Sequence, residues 1–158
     1  MLCGLTAAAA SAQGYDRQLF GVGEWRLSIA RDRFSQEVVC DLRARSAMRY
    51  VEGAIGFQLG RRGDVLQSWY GIDNGEPRRW RDQLPELARL RVNINDRDMD
   101  RPTGGMLWVP IDQLGDAKVV TIQRRPGSKP RQFSLDGFWR LHDYAITQGC
   151  TPESRFFR

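Results

Sequence analysis

Runs of alternating apolar and polar residues, separated by glycine, proline and asparagine, cover most of this chain. In residues 24–30 the apolar side chains Trp25, Leu27 and Ile29 alternate with polar ones. A period of two places one set of side chains on a single face, so the pattern predicts a half-buried β-strand. Strands are predicted in this way at residues 24–30, 37–44, 48–60, 65–73, 90–94, 106–111, 117–123 and 131–135.

Glycine and proline mark the connections between these strands. Gly53 and Gly56 predict a bend or bulge inside the third strand, and the Asn-Gly pair at 74–75 is a strong signal for a two-residue hairpin turn. Pro85 restricts residues 82–89 to one helical turn or a loop, because proline breaks a longer helix.

A helical pattern is convincing only near the C-terminus. Ser134 is a candidate N-cap, and Gly149 is a candidate for the left-handed residue that follows a helix. Apolar residues recur between them at helical spacing, at Leu135, Phe138, Leu141 and Ala145. Many short strands followed by one helix predict a mainly β fold, an antiparallel β-sandwich or an open barrel with one C-terminal helix.

The N-terminus has the features of a secretory signal. Residues 2–10 are apolar or small, and Ala10 and Ala12 satisfy the small-x-small rule for cleavage before Gln13. Nine such residues are too few for a membrane span, which needs about 20. We therefore expect residues 1–12 to be removed, leaving residues 13–158 as a single β-rich domain that is periplasmic or secreted and has no transmembrane segment. The alternative is an alanine-rich terminus of a cytosolic protein.

Removal of the signal, which contains Cys3, leaves two cysteines, Cys40 and Cys150. An even pair in an exported protein predicts one disulfide. In a cytosolic protein the same residues would be two buried thiols. A redox role is not indicated, since the sequence contains no Cys-x-x-Cys motif.

The charge is basic and almost entirely due to arginine. The formal net charge is +5, and only Lys118 and Lys129 among the 24 basic residues are lysines. A basic surface favours anionic partners. For an exported protein we expect an envelope protein, an anionic glycan or a lipid head group, and nucleic acid is an unlikely ligand. Scattered solubilising charge is the plainer interpretation.

The segment PRRWRDQ at residues 77–83 is the best candidate for a contact surface. Arginine forms bidentate hydrogen bonds with phosphate, sulfate or carboxylate, and tryptophan provides a face for stacking. The predicted binding residues are Arg78, Arg79, Trp80 and Arg81, with Arg61 and Arg62 from a neighbouring hairpin end. The alternative is an exposed strand end whose tryptophan is buried in the core and whose arginines are solvated.

No set of residues in the sequence predicts catalysis, a metal or a cofactor. His142 is the only histidine, and no G-x-S-x-G motif occurs, so a nucleophile–histidine pair is not indicated. Asp96, Asp98 and Asp100 alternate like calcium ligands, but Arg101 and Leu107 occupy the Gly and Glu positions of an EF-hand loop. Two alternatives to a non-catalytic binding module remain open: an envelope hydrolase that uses paired carboxylates, and an enzyme inhibitor that acts through residues 95–105.

Two stretches resemble a known family. GEWRL at residues 23–27 opens the first predicted strand, an early strand carries a cysteine, and FSLDGFWRLHDYAITQGC closes the chain at residues 133–150. With the N-terminal signal, this order resembles the invasion-associated locus B family of α-proteobacterial periplasmic proteins. The resemblance implies a small β-rich, non-enzymatic envelope protein, linked in some members to host-cell entry. It supplies no catalytic residues.

Overall fold

The structure is a computed structural model that describes residues 14–51, 53–59, 65–90 and 105–150. Several predictions fall outside these residues. They concern the secretory segment 1–12, the pair Arg61 and Arg62, most of the predicted strand 90–94, and the polar segment 95–104 with its three aspartates.

The described strands form two antiparallel sheets and no closed barrel. The first sheet has the order β1-β2-β3-β4-β5-β8, and the second has the order β10-β9-β6-β7. The strands are β1 (Tyr15–Val22), β2 (Trp25–Asp32), β3 (Val38–Ala44), β4 (Met48–Val51), β5 (Ala54–Gln58), β6 (Trp69–Ile72), β7 (Arg78–Arg79), β8 (Met106–Pro110), β9 (Val119–Gln123) and β10 (Arg131–Ser134). The predicted mainly β class is confirmed, in its sandwich form.

Short helices connect the strands, and one longer helix closes the described chain. They are α1 (Leu84–Arg89), α2 (Ile111–Leu114) and α3 (Phe138–Thr147), with 3-10 turns at Val65–Gln67 and Trp80–Gln83. In the described parts of the chain, no helix combines the length and apolar character needed to cross a bilayer. The single helical turn predicted at 82–89 corresponds to the second 3-10 turn and α1.

The core lies between the sheets and under α3. Trp25, Leu27 and Ile29, the alternating residues of β2, are all buried. Contact between the sheets includes Phe57 of β5 and Phe133 of β10, whose ring centroids are 5.2 Å apart. Burial of large apolar side chains is the main favourable contribution to such a fold. The period-two pattern in the sequence therefore identifies the core face correctly.

Helix α3 packs as predicted but begins later. Phe138, Leu141 and Ala145 are buried, and the Phe138 ring lies 4.8 Å from that of Trp25. Ser134 does not cap the helix: its hydroxyl accepts a hydrogen bond from the Asp136 amide at 3.1 Å, and the N-cap is Gly137 with φ +87°. A β-carbon on that glycine would lie 2.4 Å from the carbonyl oxygen of Val22, so only glycine fits this approach.

A disulfide ties β3 to the end of α3. Cys40 and Cys150 are bonded, with their Cα atoms 5.9 Å apart, and both are fully buried. This is the pairing that the cysteine count predicts. The bond closes a loop with a sequence separation of 110 residues, for which the loop-entropy model gives about 4.7 kcal/mol of stabilisation.

One predicted strand is wrong, and one observed strand was not predicted. The predicted single strand at 48–60 is a hairpin of β4 and β5, because Gly53 adopts φ +85° and reverses the chain. Strand β1 has no counterpart among the predicted strands, which begin at residue 24. It is an exposed edge strand, paired along its whole length with β2.

Candidate anion-binding surface

The predicted contact segment is only partly exposed. Arg78, Arg79 and Arg81 are exposed, but Trp80 is completely buried. The indole Nε1 of Trp80 donates a hydrogen bond to the carbonyl oxygen of Trp108 at 2.6 Å. The prediction that Trp80 offers a stacking face is therefore wrong, because its ring is buried against β8 with its N–H satisfied. The alternative interpretation, a buried tryptophan beside exposed arginines, is the one that the structure shows.

A different tryptophan lies beside these arginines. The guanidinium carbon of Arg79 lies 4.9 Å from the ring centroid of Trp69, directly opposite it in the β6–β7 pair. A cation over an aromatic face is held by a modest attraction, about 0.5–1 kcal/mol at an exposed site. The segment thus presents cations without a free aromatic platform.

The structure brings together three other arginines that the sequence analysis did not single out. Arg26 of β2 is directly opposite Arg43 of β3, and Arg43 is directly opposite Arg49 of β4. Directly opposite residues share one face of a sheet. We call Arg26, Arg43 and Arg49 the arginine row.

The arginine row lies on the outer face of the first sheet. Each member is flanked in its strand by buried residues that point into the core, such as Trp25 and Leu27 around Arg26. Alternation then directs the arginine outward. Arg43 has 70% of its side chain exposed.

Adjacent like charges on neighbouring strands are unfavourable, and each arginine of the row has a local partner. Arg26 Nη1 donates to the carbonyl oxygens of Gly23 at 3.0 Å and Trp25 at 2.8 Å. Arg43 Nε lies 3.1 Å from Asp41 Oδ2. The guanidinium carbon of Arg49 lies 5.4 Å from the ring centroid of Trp108. Each guanidinium group of the arginine row is therefore oriented by a contact within the described structure.

Glycines occupy the positions next to the arginine row in the two flanking strands. The same register continues from Arg26 to Gly21 of β1, and from Arg49 through Gly56 of β5 to Trp108 of β8. A β-carbon at Gly21 would lie 2.7 Å from Nη1 of Arg26, so that guanidinium lies across β1. The register crosses all six strands, a distance of roughly 24 Å at about 4.8 Å per interval.

Asp41 forms an ion pair with Arg43 of this row. Burial raises the pKa of its carboxyl above the usual value, and the positive charges of Arg43, Arg17 and Arg49 partly oppose this. A hydrolase with paired carboxylates needs one acid whose pKa is raised and a second carboxylate beside it. The charges that act on Asp41 are those of arginines, so this acid does not support the hydrolase alternative.

Metal ligands do not cluster in the described chain. Within residues 14–51, 53–59, 65–90 and 105–150, no three His, Cys, Asp or Glu side chains come together as a metal site. Asp96, Asp98 and Asp100 of the sequence pattern lie outside these residues, as does nearly all of the segment considered for an inhibitor.

His142 packs as a core-facing aromatic ring. It stacks on Phe138 with a centroid separation of 5.5 Å and meets Tyr50 edge-on at 5.1 Å. Its Nδ1 lies 3.6 Å from Asp143 Oδ1, too far for a hydrogen bond, and has no other partner among the described residues. Burial lowers the pKa of the imidazole, and the Asp143 carboxylate only partly opposes this.

No protein-family model, no curated protein and no solved structure matches this chain. The functional argument therefore rests on the chain's own residues.

The buried imidazole should make the protein less stable in mild acid. Below the ordinary histidine pKa of 6.5, the unfolded chain binds a proton at His142 before the folded chain does, so the free energy of unfolding falls as the pH falls. Urea denaturation of the native protein and of His142→Phe, at pH values on either side of 6.5, measures this. We expect a steeper loss in the native protein. Equal losses of unfolding free energy in the two proteins would contradict the assignment. Taking the difference between the two proteins removes the contribution of the acidic groups that they share.

Proposed function

We propose that this protein is an exported, non-catalytic binding module whose ligand is an anionic glycan chain of the cell envelope. The observation that carries the proposal is the arginine row. Three neighbouring guanidinium groups on one sheet face attract negative charge and can form bidentate hydrogen bonds with carboxylate or sulfate groups.

The linear arrangement favours a chain-like ligand. The members of the row follow one line across the strands, so an extended polyanion can meet them with successive charged groups. A lipid surface fits less well, because membrane-surface binding also uses buried apolar area. Among the described residues of β1 to β4, the outer face offers only two exposed large hydrophobic side chains, Tyr15 at 44% and Leu19 at 61% exposure.

Export has two supports. The Cys40–Cys150 disulfide is of the type that persists in oxidising compartments and is rare in the cytosol. The resemblance to the invasion-associated locus B family also implies a periplasmic protein without catalytic activity. Both agree with the interpretation of residues 1–12 as a removed secretory segment.

Neutralising the row should weaken binding of a sulfated glycan. The triple variant Arg26→Gln, Arg43→Gln, Arg49→Gln removes three cations, each worth about 1 kcal/mol near a dense anionic surface. Its affinity for dextran sulfate, measured by calorimetry, should fall roughly 100-fold. Neutral dextran, which has the same backbone, should not bind. Circular dichroism and thermal unfolding check that the variant is folded.

The matched control removes the same charge elsewhere. Arg78→Gln, Arg79→Gln, Arg81→Gln changes the net charge equally but leaves the row intact, so its affinity should fall much less. Equal losses in the two triple variants would mean that only net charge matters and would contradict the proposal. A loss of affinity confined to the control variant would place the binding site in residues 77–83, the segment predicted from the sequence.

Export makes a separate prediction about the mature chain. Full-length protein produced in a Gram-negative host and measured as intact mass should begin at Gln13. Cys40 and Cys150 should resist alkylation until a reductant is added. A chain that retains Met1 and has free thiols would contradict export, whatever the glycan measurement shows.

A further inference from the structure

A second cationic site lies at one end of the sandwich, where β5 of the first sheet approaches the β9–β10 turn of the second. It is a pocket of about 120 Å³, lined by Leu59, Ile122, Arg124, Lys129 and Arg131. Leu59 and Ile122 are buried, whereas the three cations are exposed. The pocket therefore has an apolar floor and a positively charged rim.

The sheet pattern explains why arginines surround it. In β9 the core-facing positions Val120 and Ile122 are buried, and the next position on that face is Arg124. In β10 Phe133 is core-facing, and the preceding position on that face is Arg131, directly opposite Ile122. The core-facing side chains of β9 and of β10 are thus each followed by an arginine at this end of the sandwich.

Both arginines reach across to the other sheet. Arg124 Nη1 donates to the carbonyl oxygen of Leu59 at 3.4 Å, and Arg131 Nη1 donates to that of Gln58 at 3.3 Å. The guanidinium carbon of Arg131 also lies 4.5 Å from the ring centroid of Phe133. Each guanidinium is oriented by only part of its donor set, so further N–H groups remain for a ligand.

The turn that carries Lys129 is internally hydrogen-bonded. Ser128 Oγ donates to the carbonyl oxygen of Arg125 at 2.9 Å and accepts from the Arg125 amide at 3.2 Å. Gln123 Nε2 donates to the carbonyl oxygen of Ser128 at 2.9 Å. These bonds fix the backbone next to Lys129 before any ligand arrives.

The rim charges are not neutralised within the described structure. None of Arg124, Lys129 and Arg131 forms a salt bridge with an acid among residues 14–51, 53–59, 65–90 and 105–150. Three convergent cations around a concave site favour an anion there, because the ligand relieves their mutual repulsion.

We propose that this pocket binds one phosphate group, either free or as a monoester. A dianionic phosphate offsets more of the three positive charges than a single carboxylate does, and its oxygens match the guanidinium donors. For size, a cavity of about 150 Å³ holds a benzene molecule, so a phosphate fits and a larger substituent projects outward. This site shares no residue with the arginine row and does not depend on the glycan proposal.

Inorganic phosphate is the direct probe. Calorimetric titration at constant ionic strength should give saturable 1:1 binding in the millimolar range or tighter. Arg131→Gln and Arg124→Gln should each weaken it at least tenfold. Arg125→Gln is the matched control: it loses the same charge in the same turn but does not line the pocket, so its affinity should be nearly unchanged.

Two further probes distinguish the source of the phosphate. Glycerol 1-phosphate tests a small monoester, and vesicles with or without phosphatidic acid test a lipid head group. Binding of either probe that is lost in Arg131→Gln supports the pocket and identifies the source. Absence of saturable binding by all three probes would overturn the proposal, as would equal weakening by Arg125→Gln. Thermal unfolding of both pocket variants excludes loss of the fold as the cause.

Discussion

The antiparallel register of β2, β3 and β4 is the constraint on which the rest of the structure depends. It places the residue pairs Trp25–Ala44 and Leu27–Leu42 on the core side and, through the intervening position, arginine opposite arginine on the other side. A shift of one residue would exchange the two faces completely. The same register therefore determines both the core face and the arginine row, and a change of register would alter both.

Packing at the inner face supports that register through contacts of β2 and β3 with α3. Trp25 of β2 meets Phe138 of α3, and the Cys40–Cys150 disulfide holds the end of α3 against β3. Trp80 joins the second sheet's last strand to β8 through its hydrogen bond to Trp108. The packed core thus lies directly beneath the outer face that carries the arginine row.

Local patterns in the sequence were sufficient for the fold class and the core face of α3, which depend on spacing within single segments, and the count of two remaining cysteines was sufficient for the disulfide. They failed where the outcome depends on distant parts of the chain. PRRWRDQ left both an exposed and a buried Trp80 open, and the choice depends on β8, where the carbonyl oxygen of Trp108 accepts the N–H of the buried ring. Arg26, Arg43 and Arg49 each look like an ordinary outward residue of an alternating strand. Only the register shows that they form one row.

Backbone amide chemical shifts, recorded during titration with a short sulfated oligosaccharide, test the central claim most directly. The account predicts that the largest changes map to β2, β3 and β4 around Arg26, Arg43 and Arg49, and that they saturate together. Changes centred on residues 78–81, or small changes spread over every exposed arginine without saturation, would contradict it.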